Sequence, residues 1–241
     1  KDFEYGNRLI DVYLKRHFKE PKDFASYLYL SQLLQSHAMK IAVEAHRKKK
    51  PFCMGTLYWQ INDCWPAASW SSIDYYGQWK ATHYHLKTLY NDLLIVPELE
   101  DGTLAVSVIS DLQKPLENAQ LNLQLMDFEG KVLWENNTSH HIAANSSAVA
   151  WKDNMQNALH DVDVNKVMLV SQLKNNGKNM ASNHFYFVPL KELALPKASI
   201  EYEITEQGGK KFIEISTDKY AKYIQVLVKN QDVHLSDNYF D

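Results

Sequence analysis

The residue types best suited to chemistry in this chain crowd into one window, Gly55 to Lys80. It holds Trp59, Trp65, Trp70 and Trp79 beside Asn62, Asp63 and Asp74. An indole face packs on the C–H face of a pyranose, and amide or carboxylate groups satisfy hydroxyls. An indole face also favours the positive charge of an oxocarbenium-like transition state. The window therefore has the chemistry of a sugar site. Trp59 is placed under a bound sugar, Asn62 and Asp63 bond hydroxyls or orient neighbours, and Trp65 and Trp70 extend the wall. Tryptophans also fill seams between packed layers, and that reading stays open for Trp65 and Trp70. Trp79, Asp74 and Tyr84 read as packing and capping residues.

Such a window needs elements that position it. Phe52 to Ile61 is a nearly continuous apolar run, the pattern of a strand buried on both faces, as in a parallel barrel. Trp59 to Asp63 then lies at the C-terminal mouth of that strand, where parallel barrels place their binding groups. Ahead of it, Tyr27, Leu30, Leu34, Ala38, Ile41 and Ala45 recur at helical steps, predicting a helix from Phe24 to about Lys48. Pro21 and the N-cap Asp23 mark its start. Residues 2–20 form a shorter helical segment on Leu9, Ile10, Tyr13, Leu14 and His17. Gln78 to Leu94 reads as a further helix, so residues 24–94 are α–β–α.

At Pro97 the texture changes. Leu104, Val106 and Val108 alternate, as do Leu121, Leu123 and Leu125. Val167–Leu173 and Phe185–Val188 are further strands, and Asn175-Asn-Gly177 and Gln207-Gly-Gly209 are turn signals. The expected fold is multidomain, α/β plus all-β. Residues 1–96 are the last part of a (β/α)8 TIM barrel, 97–192 an immunoglobulin-like antiparallel β-sandwich, and 193–241 the start of a second β-sandwich. The last unit has three strands, Ile200–Thr205, Phe212–Ser216 and Tyr223–Lys229, too few to bury a core alone.

Composition excludes several classes. Of 241 residues, 26 Lys and Arg face 29 Asp and Glu, a net charge of -3, which gives no reason to expect nucleic acid or an anionic membrane as partner. The basic run His46–Lys50 sits at a helix end, where cations suit the dipole. No apolar run approaches the roughly 20 residues of a membrane span. Cys53 and Cys64 read as free structural thiols, and the spacing of His37 and His46 supports no metal site. Asn136, Asn137 and Asn145 match Asn-x-Ser/Thr, a pattern common by chance. The start, Lys1-Asp-Phe-Glu-Tyr-Gly6, lacks an initiator Met and any signal-peptide pattern, so the chain is expected to be a fragment or processed piece.

The Gly55–Lys80 window resembles the last barrel strand and following loop of family 2 glycoside hydrolases, specifically the β-mannosidases. Asn7–Asp11, Glu20–Phe24, Tyr29–Gln32, Ala42–Arg47 and the tail Leu235–Asp241 resemble the same family. The resemblance implies a retaining exo-glycosidase that removes terminal β-linked mannose, with no metal or organic cofactor. Partners are then the β-linked mannoside and the upstream barrel of the same polypeptide. The resemblance also implies two catalytic glutamates, about 5–5.5 Å apart in retaining enzymes. In the family the acid/base follows an asparagine, and no Asn-Glu dipeptide occurs here. Glu4 follows no apolar strand, and Glu44 lies on a helix. No catalytic residue is therefore expected in this chain, and the chain alone is expected to be inactive. The compartment implied is periplasmic or extracellular for a bacterial source and lysosomal for a eukaryotic one. The competing class is a non-catalytic carbohydrate-binding or scaffolding sandwich. Within the hydrolases, β-glucosaminidase and β-galactosidase specificities remain open.

Overall fold

The computed structural model describes residues 3–229 and 233–241; the side chains of Phe3, Glu4 and Asn7, and so the question of Glu4, lie outside the described residues. Three helices come first: α1 (Phe3–His17), α2 (Phe24–Lys48) and α3 (Ala81–Leu89). α2 begins as its sequence dictates. The Asp23 carboxylate accepts from Ser26 N–H at 2.7 Å, and Asp23 N–H donates to Ser26 Oγ at 3.0 Å. This reciprocal cap contributes about 1 kcal/mol to a helix that could otherwise fray. Leu14, Phe18, Leu33, Ala81 and Tyr84 bury one helical interface, and Tyr239 from the far end of the chain completes it. A second interface, Val43, Leu86 and Leu89 against Leu94, Val96 and Ile109, seats the helices on the β-sandwich.

The sandwich has seven strands: β1 (Leu93–Glu100), β2 (Thr103–Ser110), β3 (Leu116–Asp127), β4 (Val132–Ile142), β5 (Ser146–Asn154), β6 (Val167–Asn175) and β7 (Lys178–Phe185). One sheet runs β1-β2-β5 and the other β4-β3-β6-β7, antiparallel throughout. Ala119, Leu121, Leu123 and Leu125 of β3 are all fully buried, so the period-two pattern points one face inward. Ala119, Leu121 and Leu123 meet Ile95, Leu104 and Val106 from the other sheet, with Leu169 and Leu173 beside them. Tight turns set the register. Asn176-Gly177 joins β6 to β7 with both φ positive, the type I′ geometry that matches strand twist. β8 (Ile200–Gln207) and β9 (Lys210–Thr217) form a separate hairpin around Gly208-Gly209.

Three expectations are corrected. The helix read to Leu94 ends at Leu89, and Leu93 already belongs to β1. A short apolar run such as Leu93–Val96 satisfies helical and strand patterns alike, so its neighbours decide. Pro97 is accommodated because β1 is a sheet edge, where a missing N–H does no harm. Tyr223–Lys229 is not a strand, and Ile224 makes only an isolated bridge to Phe240. Its partners are side chains: Asn238 accepts from Val226 N–H at 2.8 Å and donates to the Val226 carbonyl at 3.0 Å. Finally, Phe52–Ile61 is assigned no strand, and residues 54–59 form no backbone ladder among the described residues. A strand exists only through its neighbours' hydrogen bonds, and here no neighbour lies alongside. Phe52 and Leu57 are consequently 94% and 99% exposed, the reverse of the burial expected from their pattern.

Candidate functional site

The tryptophan-bearing loop is built on this extended segment and doubles back on its end. Ser72 N–H donates to the Gln60 carbonyl at 3.1 Å, Ile73 N–H to Ile61 at 2.8 Å, and Asp63 N–H to Ile73 at 3.0 Å. Asn62 and Ile73 thus form a short parallel bridge, and Ile73 pairs in turn with Trp79. The Trp59–Gln60 and Lys50–Pro51 peptide bonds are cis.

Asp63 is the hub of the loop. Its carboxylate accepts from the hydroxyls of Ser69 and, at 2.5 Å, Ser71, and it pairs with Lys80 Nζ at 3.2 Å. Lys80 also donates to Ser71 Oγ at 2.9 Å. The Asp63 side chain is only 7% exposed, so this cradle closes over it. Bonds from Ser69 first, then Ser71 and Lys80, hold its pKa below the usual carboxylate value, which makes Asp63 a fixed anion rather than a proton donor. Both of its oxygens are engaged within the loop. Asn62, by contrast, is exposed, with its amide nitrogen 3.4 Å from the Asp63 carbonyl.

The loop holds its indoles outward. Trp59, Trp65 and Trp70 are 72%, 74% and 61% exposed, and none of them meets another aromatic ring among the described residues. The Trp70 carbonyl is tied to α2 by Gln35 Nε2 at 2.6 Å. Trp79 behaves differently, packing against His83 at 4.3 Å and Tyr84 at 5.2 Å between ring centroids. Asp74 caps a turn rather than a helix: its Oδ1 accepts from Tyr76 and Gln78 N–H, both at 2.9 Å, with Gly77 at φ +83. The fourth tryptophan of the window is therefore packing and the other three are surface.

Beneath the loop lies a set of residues to which the sequence pattern assigns no role. The Ser72 hydroxyl contacts Tyr58 OH and His83 Nδ1, both at 2.9 Å, and the Ile61 carbonyl at 3.0 Å. A serine beside a histidine has the form of an activated nucleophile. Ser72 is fully buried, however, and burial lowers the pKa of His83 and keeps the ring neutral. The group is a floor for the loop. Ser69, Ser71 and Lys80 have a faint sequence signal, since they share the tryptophan window, but nothing in their spacing marks them as partners of Asp63. Cys53 and Cys64 are both free thiols, and Cys64 is exposed. Among the described residues no three His, Cys, Asp or Glu side chains converge as metal ligands.

An array of this kind can stack and hydrogen-bond a sugar. Its two carboxylates are engaged by loop donors, Asp63 through both oxygens and Asp74 through Oδ1.

Comparisons with known proteins bear on this geometry. Residues 102–192 match the model of the Mannosidase Ig/CBM-like domain, and residues 195–241 that of an Ig-fold domain. The β-mannosidase of Mus musculus is 28% identical over 257 residues, covering 98% of this chain and 29% of its own length. β-Mannosidase B of Aspergillus niger is 25% identical, covering 97% of this chain and 30% of its own length. The crystal structure of β-D-mannosidase from Dictyoglomus thermophilum superposes with a TM-score of 0.84 at 32% identity, over 95% of this chain and 28% of that one. An exo-chitosanase from Amycolatopsis orientalis, in complex with PNP-β-D-glucosamine, shares the fold at a TM-score of 0.69 and 14% identity, over 90% of this chain and 30% of that one. The chain thus spans under a third of the length of each of these relatives.

Proposed function

We propose that this chain, which belongs to the β-mannosidase group of family 2 glycoside hydrolases, supplies one wall of the sugar site of a larger retaining exo-glycosidase. The substrate is a terminal, non-reducing β-D-mannose residue. Residues 1–96 contribute the last strand and final helices of a (β/α)8 barrel, 97–192 a sandwich packed on it, and 193–241 an incomplete further sandwich.

One observation carries this reading. An extended segment lies with the backbone of residues 54–59 unladdered and with Phe52, Met54, Leu57 and Trp59 exposed, and it ends in a braced loop that presents three indoles. A segment that must bury both faces against neighbouring strands looks this way when those strands belong to another part of the polypeptide. Closing the barrel covers Phe52 and Leu57 and brings Trp59 to the mouth, where such enzymes bind substrate. Trp59 then lies under the reacting sugar, Trp65 and Trp70 extend the wall, and Asn62 reaches hydroxyls. Asp63 acts through the loop, holding it in shape. The acid/base and nucleophile carboxylates come from the upstream barrel.

The test uses a longer polypeptide containing this chain and its upstream region. Trp59→Ala is expected to lower kcat/KM on p-nitrophenyl β-mannoside by more than about tenfold, a loss of about 1.4 kcal/mol of transition-state binding. The 241-residue chain alone should give no turnover. Unchanged kinetics in the variant would remove Trp59 from the site, and turnover by the chain alone would overturn the division of labour. Faster release from the β-glucosaminide or β-galactoside would decide against mannose.

A further inference from the structure

The sandwich carries a groove that shares no residue with the tryptophan loop. It opens at the edge strands β4 and β5 of the two sheets, has a volume of about 770 Å³, and falls in the size range of small-molecule sites. Trp134 of β4 forms part of its wall, partly buried and braced by Trp151 of β5, with ring centroids 5.6 Å apart. The rest of the rim is amide-rich: Asp153 and Asn154 end β5, and Gln156, Asn157 and His160 follow in the next turn.

This rim is built, not frayed. Met155 is 1% exposed and anchors the turn in the core, and its N–H donates to the Gly102 carbonyl at 3.0 Å. Leu159 N–H returns to the Met155 carbonyl at 2.9 Å, and Gln156 N–H to Asn154 Oδ1 at 2.8 Å. With the backbone held, the side-chain amides of Gln156 and Asn157 have no hydrogen-bond partner among the described residues, and neither does the Asn154 amide nitrogen.

The lining selects a ligand class. Amides offer donors and acceptors in equal measure, as hydroxyl groups require. The rim has no Lys or Arg, His160 Nδ1 lies 2.9 Å from the Asp161 carboxylate, and Asp153 is acidic, so anions are disfavoured. One indole wall beside an open, polar trough suits a ring with an apolar face and a hydroxylated edge.

We propose that this groove is a binding site for neutral oligosaccharides, engaging one pyranose on Trp134 with its hydroxyls on Asn154, Gln156 and Asn157. It acts independently of the Trp59 loop and does not rest on the barrel reading.

The experiment is titration of the chain with mannohexaose, followed by intrinsic tryptophan fluorescence and calorimetry. The variants are Gln156→Ala with Asn157→Ala, both exposed and not expected to unfold the domain, and separately Trp59→Ala. Support is saturable binding that the double substitution weakens by about tenfold or more at unchanged melting temperature, and that Trp59→Ala leaves intact. The proposal is overturned by absence of saturable binding at millimolar sugar. Binding lost in Trp59→Ala but kept in the double variant overturns it equally, as does preference for a sulfated oligosaccharide over the neutral one.

Discussion

Arg47, buried at the C-terminal end of α2, donates from Nη2 to the Asp111 carboxylate at 2.7 Å, just past the end of β2. Lys50 Nζ reaches the other oxygen of the same carboxylate and also bonds Asn145 Oδ1 at 2.8 Å. The basic run at this helix end is therefore a clamp onto the sandwich, supplemented by Lys48 on Glu98. Burial lowers the pKa of both Arg47 and Lys50, and the Asp111 carboxylate in contact with both is a counter-charge to them. Asp111→Ala leaves two nearly buried cations facing each other. The expected loss is about 2–3 kcal/mol, below the usual 3–5 for a fully buried pair because water reaches the half-exposed carboxylate. Denaturant unfolding checks this, and a midpoint unchanged from the parent chain would show the clamp to be idle.

Asp63 and Lys80 govern the loop that carries Trp59. The folded-state pKa of Asp63 is depressed, so its contribution is present above the unfolded value of about 4 and is lost as pH falls through the folded one. The emission of the exposed tryptophans should therefore hold steady from pH 7 to about 4 and change only in stronger acid. Asp63→Asn should remove that acid-linked change, while Ser69→Ala should move it to higher pH. An identical acid profile in Asp63→Asn would assign the change to another group.

His37 is a second pH-linked residue. Burial first, then the nearby charges of His17, Lys40 and Lys222, lower its pKa to about 4. The unfolded ring takes up a proton near 6.5, so stability is full above that value and falls as pH drops toward 4. The loss is at most about 3 kcal/mol, and smaller to the extent that water reaches the ring. His37→Gln should flatten the stability profile between pH 7 and about 4. A variant as acid-sensitive as the parent chain would shift the effect to His85, whose pKa burial also lowers.

Leu57 separates the barrel reading from its rivals. It is 99% exposed in this chain, so Leu57→Lys should leave the melting temperature of the chain almost unchanged and improve its solubility. On the barrel reading the same residue is buried between strands in the longer polypeptide, and there the substitution should cost several kcal/mol or prevent folding. Paired thermal melts of the two proteins decide the matter. Equal tolerance in both would mean that Phe52–Ile61 never joins a sheet.

Much of the architecture was written locally. The stripe through Tyr27, Leu34 and Ile41 and the Asp23 cap specify α2, and the alternation of Leu121, Leu123 and Leu125 specifies an inward face of β3, because each depends on side-chain period and nearest neighbours alone. Asn176-Gly177 and Gly208-Gly209 dictate their turns through positive φ. The tryptophan window, likewise, announces a sugar-compatible surface by residue type. Other features depend on contacts distant in sequence. Leu93–Val96 became strand rather than helix because β2 lay beside it. Tyr239 reached the helical core and Asn238 replaced a strand partner for Val226 across loops that no period encodes. The surroundings of Asp63 were decided by Ser69, Ser71 and Lys80, which close over its carboxylate and engage both of its oxygens. Residue type sets what a group can do; only the tertiary fold determines which partners take up its hydrogen bonds and which of its atoms remain open to a ligand.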